Sequence, residues 1–129
     1  MRTSTGRQVL VAVYAVFALA AGARSLVQIT TSFDEAPLAY VLSAAAAAVY
    51  LVAAVALRRT SARAHRVAVA ACAFEACGVL VVGTLSLVRA DMFPDQTVWS
   101  GYGIGYGFVP LVLPFLGLGW LRRHAANPP

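Results

Sequence analysis

Lysine is absent from this 129-residue chain and only 12% of its residues are charged, about half the share an ordinary soluble domain carries on its surface. All ten basic residues are arginines, and alanine is abundant, a bias that points to a GC-rich genome rather than to a mechanism. The arginines stand in short groups beside apolar runs instead of along one solvated face, which argues against a nucleic-acid partner despite the net charge of +5. Histidine is scarce: His65 and His124 both fall beside the ends of apolar runs. Cysteine is limited to Cys72 and Cys77, whose five-residue spacing points them in different directions on a helix. That spacing excludes a redox C-x-x-C pair and a zinc cluster, and leaves both as small apolar packing residues. No phosphate-binding glycine loop, HExxH, nucleophile elbow or serine triad occurs, so the expectation is of a protein that is not an enzyme and has no cofactor, catalytic residue or metal.

What the chain does have is apolar length, with 60% hydrophobic residues. Four runs, Val9 to Ile29, Pro37 to Leu57, Val67 to Val88 and Tyr102 to Leu121, are each about 20 residues, which as helices match a hydrocarbon core of about 30 Å. A soluble domain of this size has too few polar residues to cover four such helices. The second and fourth runs carry no charge, while the first contains Arg24 and the third Glu75, each costing about 2.5 to 3.5 kcal/mol on insertion scales. The expected fold is an all-α, four-helix transmembrane bundle forming a single domain over residues 1–129, in the cell membrane with the lipid bilayer as its first partner. No internal repeat is evident.

Direction follows from the arginines. Arg2 and Arg7 precede the first run, Arg58, Arg59, Arg63 and Arg66 join the second and third, and Arg122 and Arg123 follow the fourth. The two other loops carry Asp34, Glu35, Asp91 and Asp95 against Arg89 alone. The positive-inside rule then places both termini and the central loop in the cytoplasm, an arrangement that only an even number of spans permits. Trp99 and Trp120 are expected near opposite interfaces. The basic central loop suits anionic headgroups at about 1 kcal/mol per arginine, although orientation alone accounts for it. A cleaved secretory signal ending near Ala21-Gly22-Ala23 competes for the first run, but apolar Leu26, Val27 and Ile29 resume beyond Arg24 and favour a span. The Asn127-Pro128-Pro129 tail is expected to be disordered.

Four residues are candidates for binding: Arg24, Gln28, Glu75 and Tyr106. Glu75 falls roughly 12 Å deep, where an acid belongs in the bundle interior, either for function or as a neutral acid hydrogen-bonded to a neighbouring helix. Ala68, Ala71, Cys72, Val79 and Val82 share its face, so close packing is expected there. Arg24 lies in the outer third, free to snorkel to the headgroups or, with Gln28 one turn away, to line an outward-facing polar pocket. Counting rises puts Tyr40, Ser43 and Tyr106 near the depth of Arg24 and Tyr50 near that of Glu75. Arg24 and Glu75 differ by roughly 9 to 10 Å along the normal, so two polar clusters are expected rather than one pair, joined mostly across helices.

The fourth run opens Gly101-Tyr102-Gly103-Ile104-Gly105-Tyr106-Gly107 and continues through Pro110 and Pro114, so its outer half is expected to be bent or irregular and its helix kinked by glycine and proline. Gly103 with Gly107, and Gly101 with Gly105, have small-xxx-small spacing. Ile104-Gly105-Tyr106-Gly107 resembles a potassium-channel filter but has Gly103 where that family has threonine and Phe108 where it usually has an acid. A re-entrant loop there leaves only Phe108 to Leu121 to cross the membrane, which is short.

Phe33-Asp34-Glu35-Ala36-Pro37, Phe74-Glu75 with Gly78-Val79-Leu80-Val81-Val82-Gly83, and the stretch from Trp99 to Pro114 together resemble small four-span integral membrane proteins of high-GC Gram-positive bacteria. The resemblance covers nearly the whole chain and implies a fold and a location, with no activity and no catalytic residues. Two functions from different classes follow. The first is a homo-oligomer or an accessory subunit of a larger membrane complex; the second is a small transporter or ligand-binding protein using Glu75 and the Arg24/Gln28 cluster.

Overall fold

The computed structural model describes residues 5–124; Arg2 and the tail expected to be disordered lie outside the described residues. Four α-helices carry the fold: α1 (Thr5–Ser32), α2 (Pro37–Arg58), α3 (Ala62–Val88) and α4 (Val109–Arg123). Short 3-10 turns fill the connections at Phe33–Glu35, Ala90–Met92, Ser100–Tyr102 and Ile104–Tyr106, and no strand occurs among the described residues. Three helices, α1, α2 and α3, are long and apolar enough to cross a membrane, and a fourth crossing is present if the bent segment from Ser100 to Arg123 counts as one span.

Local chemistry sets the boundaries. Pro37 opens α2 in the first helical turn, where its missing N–H is not needed. Ser61 caps α3 by accepting a hydrogen bond from the Ala64 N–H at 3.0 Å. Along α1 the hydroxyls of Ser25, Thr30 and Thr31 bond back to the carbonyls of Ala21, Leu26 and Val27, at 2.6 to 2.7 Å, so these polar groups need no water.

Packing separates small from large. Half of the buried positions of α2 and α3 are alanines, among them Ala39, Ala46, Ala53, Ala68 and Ala71, which let the backbones approach closely. Many large apolar side chains face outward, Leu19 at 75% exposure and Val16, Leu26, Leu51, Phe74 and Leu87 each above half. Such an outward apolar surface is compatible with membrane insertion. Helix α1 packs on α2, α2 on α3, and α3 on α4. Trp120 of α4 and Tyr106 of the turn before it also reach α1.

The fourth run departs most from a continuous helix over Tyr102 to Leu121. The segment Ser100–Tyr106 meets Val109–Arg123 at 98°, and the break falls at Gly107 and Phe108. Gly103 has φ +85°, a left-handed conformation that glycine adopts without strain, while Phe108 takes φ +61° with a side chain attached. Pro110 sits in the first turn of α4, so it starts a helix rather than bending one, and Pro114 alone lies inside. At 15 residues α4 is about 22 Å long, short of a hydrocarbon core of about 30 Å. The small-xxx-small expectation for Gly103 and Gly107 is corrected: a Cβ on Gly103 would meet Pro110 of its own segment, and one on Gly107 would meet nothing.

Candidate functional site

Glu75 is fully buried, at 0% exposure, in the middle of α3. Tyr14 of α1 donates its hydroxyl proton to Glu75 Oε1 at 2.7 Å, and Cys72 Sγ lies 3.4 Å from the same hydroxyl. Because Tyr14 has only one proton, the Cys72 thiol is left as donor to the Tyr14 oxygen. Helix α4 closes over the group at Gly117, where a Cβ would stand 2.9 Å from Cys72 Sγ and 3.5 Å from Tyr14 Oη. The second carboxyl oxygen, Oε2, is buried without a hydrogen-bond partner.

A second buried polar contact lies beside this one. Trp99 donates its indole N–H to Tyr50 Oη at 2.9 Å, and the Tyr50 ring lies 6.0 Å from that of Tyr14 and 5.9 Å from that of Phe17. Trp99 is only 2% exposed, which corrects the expectation of an interfacial residue. The cause is Gly78, one turn from Glu75: a Cβ there would be 2.6 Å from the Trp99 ring, so only glycine leaves room for it. Gly83 gives the same room to Tyr102, whose hydroxyl pairs with Thr84 at 2.8 Å. The loop before α4 is further tied down by Tyr40 donating to Asp95 at 3.0 Å, the Val98 N–H to Ser43 at 3.3 Å and the Gly101 N–H to Ser86 at 2.8 Å.

Arg24 and Gln28 sit nearer the acid-bearing end. Arg24 is exposed and donates to Tyr106 Oη at 3.4 Å, a long bond, while Tyr106 stacks at a tilt on Phe17 with 5.6 Å between centroids. Gln28 has its Oε1 buried without a partner. The structure therefore joins Arg24 to Tyr106 and Glu75 to Tyr14, in two groups as their depths implied; the Glu75 bond crosses from α3 to α1, and the Arg24 bond runs from α1 to the turn before α4. At the same end the Arg89 guanidinium, bonded to Asp91 at 3.0 and 3.1 Å, holds that carboxyl below the usual carboxylate range. Both are exposed, so the pair adds little to stability.

The opposite end is held by Arg7. It donates to the carbonyl oxygens of Leu57 and, at 3.1 Å, Arg59, satisfying the end of α2, and its guanidinium lies 4.8 Å from the Trp120 ring centre. Trp120 stacks in turn on His124 at 4.0 Å. The sequence treats Arg7 as a topology signal; its role in tying α1, α2 and α4 together has no local sequence mark. Tyr14 was equally unmarked, although depth counting that selects Tyr50 would select it too. Cys77, expected to be buried with Cys72, is exposed. Among the described residues no three His, Cys, Asp or Glu side chains gather as a metal site.

No family model, curated protein or solved structure matches the chain. Function is therefore argued from the chemistry of these groups.

Proposed function

We propose that this chain is a four-span component of the cell membrane, with both termini cytoplasmic, that acts through helix packing as a homo-oligomer or as an accessory subunit of a larger membrane complex, and not as an enzyme. The observation that carries the reading is the sealing of Glu75 among Tyr14, Cys72 and Gly117, because a carboxyl serving a transport path needs access to water, whereas one fastening helices needs only a partner. Alanine-rich internal faces and short loops fit the same role. The arginine distribution supports the orientation. The resemblance to small four-span proteins of high-GC Gram-positive bacteria belongs to this proposal as well.

The test is purification in nanodiscs through a native-level tag, followed by mass spectrometry of what accompanies the protein. A stoichiometric larger membrane partner or a defined homo-oligomer is expected. A monomer carrying one specific small solute would overturn the reading in favour of a ligand-binding protein. That second reading rests on Gln28, whose buried Oε1 lacks a partner one turn from Arg24, and Q28L would then abolish solute retention.

A further inference from the structure

A groove of about 320 Å³ opens between the start of α1 and the end of α2, lined by Arg7, Gln8, Val11, Ala12 and Arg58. Its two halves differ in chemistry. Arg7, Gln8 and Arg58 supply positive charge and hydrogen-bond donors at the mouth, and Val11 and Ala12 continue it as an apolar strip that leads along α1 toward the exposed Val16 and Leu19. Arg7 is oriented by its bonds to the Leu57 and Arg59 carbonyls and by the Trp120 ring, so one wall of the mouth is set before anything binds. Arg58 is exposed opposite it. Among the described residues the carboxylate side chains lie elsewhere: Asp34, Glu35, Asp91 and Asp95 in the other two loops, and Glu75 buried in mid-helix.

We infer that this groove binds one anionic phospholipid of the cytoplasmic leaflet, with the headgroup phosphate between Arg7 and Arg58 and an acyl chain along Val11 and Ala12. The charged mouth suits any phosphate. The apolar strip below it singles out a lipid, because a free phosphate has nothing to place there. The position in the cytoplasmic leaflet rests on the orientation given above; binding itself does not, since nanodiscs expose both faces of the bilayer.

The experiment uses the full chain in nanodiscs of equal phosphatidylglycerol and phosphatidylcholine, released and weighed by native mass spectrometry. One phosphatidylglycerol is expected to remain bound in preference to phosphatidylcholine. R58Q should reduce that preference about fivefold, the factor that corresponds to ~1 kcal/mol for one arginine near an anionic surface. Substituting Arg7 also disturbs the helix ends it caps, so the second variant is A12F, which fills the apolar strip and leaves the charge in place. It should weaken retention as well, while R123Q, outside the groove, should not. Equal retention of the two lipids, loss with R123Q as large as with R58Q, or displacement of the lipid by inorganic phosphate alone would each overturn the inference. Accessibility of cysteines introduced at Ser61 and Ser32 reports the orientation separately.

Discussion

Glu75 and Arg24 are both ionisable residues in apolar helices, yet the protein treats them in opposite ways. Glu75 is fully buried and takes a 2.7 Å bond from another helix, whereas Arg24 is exposed and makes a single 3.4 Å contact with Tyr106. Depth explains the difference. In the membrane placement proposed above, an acid roughly 12 Å deep has no route to water and takes its bond from a neighbouring helix, while a long arginine in the outer third reaches the headgroups by its own length. The middle of the molecule is accordingly a fixed polar contact enclosed by packing, and the outer rim is an adaptable surface. Substitutions at the centre should therefore be costly and those at the rim nearly silent.

The sharpest way to break that contrast is at Gly78. G78V drives a side chain into the Trp99 ring, which is itself buried and bonded to Tyr50, so neither side has room to yield. We expect a loss of about 3 kcal/mol or more, the upper end of overpacking costs, read as a lowered unfolding midpoint in detergent. C77V next to it, on an exposed position, should leave the midpoint unchanged. Equal effects at the two positions would show that Trp99 does not rest in the notch of Gly78.

Glu75 comes next. E75A removes the acceptor for Tyr14 and opens a hole between α1, α3 and α4, which together should cost about 2 to 3 kcal/mol. E75Q keeps an acceptor oxygen and nearly the same volume, and should cost under about 1 kcal/mol. Stability measurements on the pair separate shape and hydrogen bonding from charge: a large loss in E75Q would mean that the carboxyl itself is needed, contrary to a packing role. W99F should cost less than E75A, at about 1 to 2 kcal/mol, because it removes the indole donor to Tyr50 and part of the ring but keeps an aromatic in the same place.

Much of the fold could be read from the sequence because the signals for α1, α2 and α3 are long and local: apolar runs of span length, Pro37 opening the second and arginines at the ends. The existence of two polar groups rather than one also followed from counting rises along Arg24 and Glu75. The outer half of the fourth run resisted, since glycine and proline there announce irregularity without specifying it. Which left-handed residues follow one another, and that Trp99 dips inward, depends on vacancies created by Gly78 and Gly83 on another helix. Arg7 was illegible for the same reason: the carbonyls of Leu57 and Arg59 that it caps are some fifty residues away in the chain. Tertiary partners, not local pattern, decide such positions.

The rim supplies the smallest expected effect and the strictest test of the contrast. R24Q and Y106F each remove one end of a bond that is long and open to solvent, so neither leaves a buried group without a partner. Both should leave the unfolding midpoint where it is within error, and the double variant should add nothing. Y106F keeps the ring that packs on Phe17, so any loss it produces is assignable to the hydroxyl alone. A loss in R24Q comparable to that in E75A would mean that Arg24 has a buried partner when the chain sits in a bilayer. Because Gln28 Oε1 is the nearby acceptor that lacks one, R24Q with Q28L would then show whether the two side chains act as a unit, with the double variant no worse than either single change.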